Sequence, residues 1–152
     1  MDTETFEISL PTDDDGYILL QCEHCGEYFK LTADDYDNDN LLHISCPACG
    51  LESENYFTED VMNLVDTIAN NYAMDLVYNA FKDLEKKSQN ELVKFEAGKK
   101  PKHEYENAIH SSIQALQEIT FPCCQHMAKI RPILKMSGCY CPCCGVKNFD
   151  FE

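Results

Sequence analysis

Cys22-Glu23-His24-Cys25-Gly26 and Cys46-Pro47-Ala48-Cys49-Gly50 carry the reading of this chain. Each is a C-x-x-C pair closed by a glycine, and twenty residues separate Cys25 from Cys46. Such a pair folds into a tight knuckle whose backbone N–H groups point at the sulfurs, and the glycine suits the next position, where φ > 0 is wanted. Two knuckles bring four thiolates to one point and close a tetrahedron around Zn²⁺, with no position left for water. The spacing therefore predicts a structural zinc site at Cys22, Cys25, Cys46 and Cys49. The competing reading, a redox C-x-x-C, requires a βαβ context and a single pair rather than two matched ones.

The C-P-x-C-G form returns near the other end as Cys141-Pro142-Cys143-Cys144-Gly145. Upstream of it, Ile119-Thr120-Phe121-Pro122-Cys123-Cys124-Gln125-His126 is similar to the segment 18–25. Aligning Cys22 with Cys123 sets His126 opposite Cys25 and gives a second site of Cys123, His126, Cys141 and Cys144. Fourteen residues then lie between its ligand pairs. Imidazole replaces thiolate readily at zinc. Cys124 is the alternative upstream ligand, and Cys139 and Cys143 are read as thiols outside the site. Two zinc ions per chain are expected. Close cysteine pairs suit metal better than disulfides, which usually join distant segments.

These segments resemble the zinc ribbon superfamily, including the rubredoxin-like and transcription-factor-B-type ribbons. The resemblance rests on Cys22–Gly26 with Cys46–Gly50, and on Cys141–Gly145 with its less regular upstream half, and it covers roughly half the chain. It implies small zinc-held sheets that usually serve as binding or scaffolding modules.

The 152 residues suit one domain-sized body, and 44% apolar residues supply a core, which excludes a wholly disordered acidic chain. Residues 1–81 carry 18 acids and one basic residue, Lys30, whereas residues 82–152 carry 9 acids and 11 basic residues. A first half this acidic repels phosphate and argues against sequence-independent nucleic-acid binding. Lys82, Lys86, Lys87, Lys94, Lys99, Lys100 and Lys102 form the one basic strip, interrupted by Asp83, Glu85, Glu91 and Glu96. No membrane span is expected, and Met1 to Glu7 has neither a basic nor an apolar leader region.

Local patterns predict an N-terminal tail or edge strand over 1–16, with the first ribbon over 17–57. Its strands fall at 17–21, 27–31 and 41–45, with an acidic loop at 32–40 and a closing segment at 55–57. Thr58 is placed to cap a helix running to about Lys87, or on to Phe95, with an apolar stripe from Val61, Leu64 and Ile68 onward that should be buried. Gly98-Lys99-Lys100-Pro101 breaks the chain, near a linker at 98–104. A second helix takes Tyr105, Ala108, Ile109, Ser112, Ile113 and Leu116 on one face. The helical hairpin thus spans 58–118 and the second ribbon 119–152. The expected fold class is α+β, two zinc-ribbon β modules bracketing that hairpin.

No phosphate-binding glycine loop, nucleophile elbow or H-E-x-x-H helix occurs in the sequence. The leading functional expectation is a cytoplasmic, non-catalytic adaptor or regulatory subunit that docks on another protein with a basic surface. The alternatives are a nucleic-acid-binding ribbon protein and a zinc-dependent enzyme with an open site.

Overall fold

Tyr17-Ile18-Leu19-Leu20-Gln21 and Tyr28-Phe29-Lys30-Leu31-Thr32 are β-prone runs on either side of a knuckle. In the computed structural model, which describes residues 4–89, 92–109 and 115–151, they form antiparallel strands β1 (Tyr17–Gln21) and β2 (Tyr28–Thr32). The second half repeats the unit as β3 (Gln117–Thr120) and β4 (Met127–Ile130), again joined by a knuckle. The two hairpins do not stand apart. β2 pairs with β4, giving one four-stranded antiparallel sheet of order β1-β2-β4-β3.

The registers make the sheet close to two-fold symmetric. Gln21 opposes Tyr28 as Thr120 opposes Met127, so the two hairpins match at an offset of 99 residues. At that offset Lys30 corresponds to Lys129, and these two face each other directly across β2 and β4. Like charges placed so would repel. Asp13 relieves this, its Oδ2 accepting from Lys30 Nζ at 2.9 Å and from Lys129 Nζ at 2.8 Å, and Asp15 adds a second carboxylate to Lys129 at 2.6 Å. Burial alone would raise the Asp13 carboxyl, but the two ammonium groups, with the Tyr17 N–H, outweigh it and hold it far below the usual range. Leu20, Phe29, Leu31, Phe121 and Ile130 fill the core beneath the sheet.

Each hairpin is followed by a short helix, α1 (Ala33–Tyr36) after β2 and a second one after β4. The acidic segment 32–40 is thus not all loop: Thr32 caps α1 through its side chain, which accepts from Asp35 N. Of the expected third strand at 41–45, only Ser45 pairs, in a bridge to Glu52. Residues 55–57 form no strand, although Tyr56 O accepts from Gln21 N and its ring packs edge-on to Phe29. The second knuckles of the two repeats dock reciprocally, Ser45 N donating to Pro142 O and Tyr140 N to Pro47 O.

The chain divides into two compact units, Asp60–Ala108 and the segments on either side of it. The inserted unit is built on α2 (Glu59–Ser88), a 30-residue helix that stops at the nearer of the two expected ends and does not continue to Phe95. The Thr58 hydroxyl, expected to cap it, is buried and has no hydrogen-bond partner among the described residues. Of the expected buried stripe, Val61 is buried and Leu64 and Ile68 are half-buried, but Val65, Leu76, Val77, Phe81 and Leu84 are exposed.

The expected second helix is absent from 101–109, and residues 110–114 lie outside the described residues. Tyr105, assigned to its buried face, is 82% exposed. The chain instead runs back along α2 without regular structure. Phe95 N donates to Ser88 Oγ, and its ring meets Phe81 at 5.7 Å. Lys100 and His103 both approach Asp75 Oδ1, at 3.2 and 3.0 Å. Buried Asn71 donates to Glu104 O and accepts from Glu104 N, as a paired peptide would. These polar anchors satisfy the returning backbone in place of helical hydrogen bonds. Beyond the inserted unit, β4 leads into α3 (Pro132–Ser137), the second of the two short helices, then β5 (Cys139–Tyr140) and β6 (Lys147–Asn148). Among the described residues no helix is long and apolar enough to cross a membrane.

Candidate metal centres

Four knuckles share one hydrogen-bond pattern. The N–H of the first residue donates to the carbonyl five residues on, and the N–H four residues on donates back to the carbonyl of the first. Cys22, Phe121, Cys46 and Cys141 open these turns. In the first repeat the fourth-following residues are Gly26 and Gly50, both with φ near +70°, as the glycine-closed pairs require.

Cys22, Cys25, Cys46 and Cys49 come together, with sulfur donors all within 4.8 Å of one another. Cys22 and Cys49 sulfurs are 3.8 Å apart, and those of Cys25 and Cys46 3.6 Å apart. A zinc–sulfur distance of about 2.3 Å implies tetrahedral edges of about 3.8 Å, so the set fits a four-thiolate ion. Burial would raise the Cys22 thiol, but the N–H groups of Cys25 and His24 aimed at its sulfur bring it below its ordinary value. Burial holds Cys46 well above.

The second group consists of Cys123, Cys124, Cys141 and Cys144. Its sulfurs lie 3.3 Å apart for Cys124 and Cys141, 3.3 Å for Cys144 and Cys123, and 3.9 Å for Cys123 and Cys124. Cys124 therefore occupies the place that the sequence alignment offered to His126. The reason is register. The strands align Cys22 with Phe121 and Cys25 with Cys124, two residues away from the alignment drawn on cysteines. Phe121 takes the opening position and is fully buried in the core, while Cys123, inside the turn, supplies the missing sulfur. Gln125 stands where the first repeat has Gly26 and adopts φ 62°. Asn148 Nδ2 donates to Cys123 Sγ at 3.3 Å and, against the burial that would raise it, draws that thiol below its ordinary value.

Cys139 stays outside both groups, in the core, where burial pushes its thiol up to about 11. Cys143 is also outside them, but it is not alone. One donor atom each from Asp35, His126 and Cys143 lies within 4.8 Å of the others, and His126 Nδ1 is 3.0 Å from Asp35 Oδ1. Asp35 and Cys143 carried no such role in the sequence reading. The available signal was the cysteine at 143, where the matching knuckle has Ala48.

All ten cysteines are free thiols, and two four-cysteine groups are placed to hold metal. No family model, no curated protein and no solved structure matches the chain.

Proposed function

We propose that this chain is a non-catalytic adaptor whose two zinc-held ribbons are fused through one sheet, and that it acts by docking on a basic surface of another protein. The observation that carries the reading is the pair of four-cysteine groups. Closed thiolate tetrahedra leave no position for substrate, and they supply folding energy that such small sheets lack. Sulfur ligands of this kind suit a reducing compartment, the cytoplasm.

Charge supports the sign of the partner. Asp34, Asp37 and Asp39 are exposed on and just after α1, whereas Lys30, the one basic residue of residues 1–81, is buried against Asp13. The basic strip is partly neutralised in place, Lys82 by Glu85 and Lys100 by Asp75. Exposed apolar side chains along α2 favour a protein partner over phosphate.

Zinc analysis should return about two ions per chain that resist weak chelators. Cys49→Ser should unfold the first ribbon, while Cys143→Ser should leave the fold standing. Neutralising Asp34, Asp37 and Asp39 together should slow association with a partner purified from the host, mostly at low salt, and change dissociation little. Duplex DNA binding that falls steeply with salt would instead return nucleic acid as the ligand.

A further inference from the structure

We propose that Asp35, His126 and Cys143 form a third metal site, open to solvent, for a divalent ion of borderline softness such as Zn²⁺. The three donors come from different parts of the fold. Asp35 lies on α1, His126 follows the third knuckle just before β4, and Cys143 lies inside the last knuckle. Strand pairing and knuckle docking bring their donor atoms within 4.8 Å of one another. One carboxylate oxygen, one imidazole nitrogen and one thiolate make a donor set that zinc accepts. Three protein ligands leave a fourth position for water or an exogenous ligand. The Asp35 and His126 side chains are 17% and 36% exposed, so that position is within reach of solvent.

The near-symmetry of the molecule isolates this cluster as a departure. At the 99-residue offset His126 corresponds to Glu27, and each crosses to the other repeat. Glu27 pairs with Arg131 at the start of α3, whereas His126 reaches Asp35 on α1. Cys143 corresponds to Ala48 in the matching knuckle. One side of the sheet thus carries a plain ion pair. The other has histidine in place of glutamate, exchanging one metal donor for a softer one, and cysteine in place of alanine, which adds a donor beside Asp35. An ion pair with Asp35 needs no cysteine. The assignment of His126 to the four-cysteine group from sequence becomes membership of a neighbouring site.

The test is metal titration of the full chain, with Zn²⁺ for stoichiometry and Co²⁺ as the spectroscopic probe. Close to three ions should bind, the third being the first released to a weak chelator. Its Co²⁺ spectrum should change on adding imidazole, since an open position takes an outside ligand. His126→Ala, Cys143→Ser and Asp35→Asn should each abolish the third equivalent and the imidazole response, with circular dichroism unchanged. Saturation of the wild-type chain at two ions, or a third ion that survives in His126→Ala, overturns the site. The His126→Ala, Cys143→Ser double variant reads the four-cysteine groups alone. Two ions there, with no third in the wild type, sink this site and leave the two-zinc adaptor standing. Fewer than two in the double variant removes the adaptor's metal basis instead.

Discussion

Gln125 sits in a left-handed backbone conformation that its three counterparts leave to glycine, and it does so beside a cysteine of the second four-thiol group. A side chain there costs energy that glycine avoids, offset in part by glycine's larger unfolded-state entropy. Gln125→Gly should therefore stabilise the protein by about 0.5–1 kcal/mol in chemical denaturation with zinc present. The reverse experiment belongs at Gly50, where φ is 72° and an added Cβ would lie 2.8 Å from the Tyr140 ring. Gly50→Ala should cost about 2 kcal/mol, from backbone strain together with displacement of that ring. Asp13 offers a test by pH. Its folded-state pKa is depressed, so its contribution is complete above the unfolded value of about 3.9 and is lost as pH falls towards the folded value. Asp13→Asn should cost about 3 kcal/mol near neutrality, since buried Lys30 loses the charge of its carboxylate partner while Lys129 keeps Asp15. That difference from wild type should stay level from pH 8 to about 5 and shrink only below the ordinary carboxylate range. At this scale the grouping of Cys22, Cys25, Cys46 and Cys49 was legible from spacing, whereas Cys124 stood only as the alternative to His126. The left-handed glutamine was not legible, because nothing in a Cys-Cys-Gln-His string announces φ > 0.

Strands β1 and β2 and the length of α2 follow from local sequence: short β-prone runs on either side of the first knuckle, and helical spacing after Thr58. What runs beside α2 does not follow. Tyr105, Ala108 and Ile109 have helical spacing, yet the segment is fixed by side chains of α2 that accept and donate to its backbone. Local pattern cannot report such distant anchors. Asn71→Ala should release this return segment, leaving the Glu104 N–H without its acceptor at a cost of about 2 kcal/mol. Hydrogen exchange at the Glu104 amide should accelerate while the core strands keep their protection; unchanged exchange there would show that Asn71 is not the anchor. The third strand expected at 41–45 fails for a related reason. Ser45 turns its N–H to Pro142 in the other repeat, so docking between knuckles replaces a longer ladder.

For the molecule as a whole, the sequence revealed two repeats but not that they share a sheet. Each hairpin reads as complete by itself, and the β2–β4 pairing depends on residues far apart in the chain. That pairing has a consequence for assembly on the ribosome and in refolding. The first cysteine knuckles are synthesised long before β4, and until β4 arrives the edge of β2 is open to any matching strand. Closing a loop of this length costs on the order of 4 kcal/mol in chain entropy, a penalty that a second chain supplying its own β4 does not meet in the same form. Because β2 and β4 meet around a near-two-fold axis, two chains can trade C-terminal halves and preserve every strand contact. Refolding from the zinc-free state at high protein concentration should therefore yield exchanged dimers alongside monomer, resolved by size-exclusion chromatography, with the monomer share rising on dilution. Slow addition of zinc to dilute chains should suppress them. Exclusively monomeric product at every concentration would mean that the two halves find each other within one chain faster than chains meet.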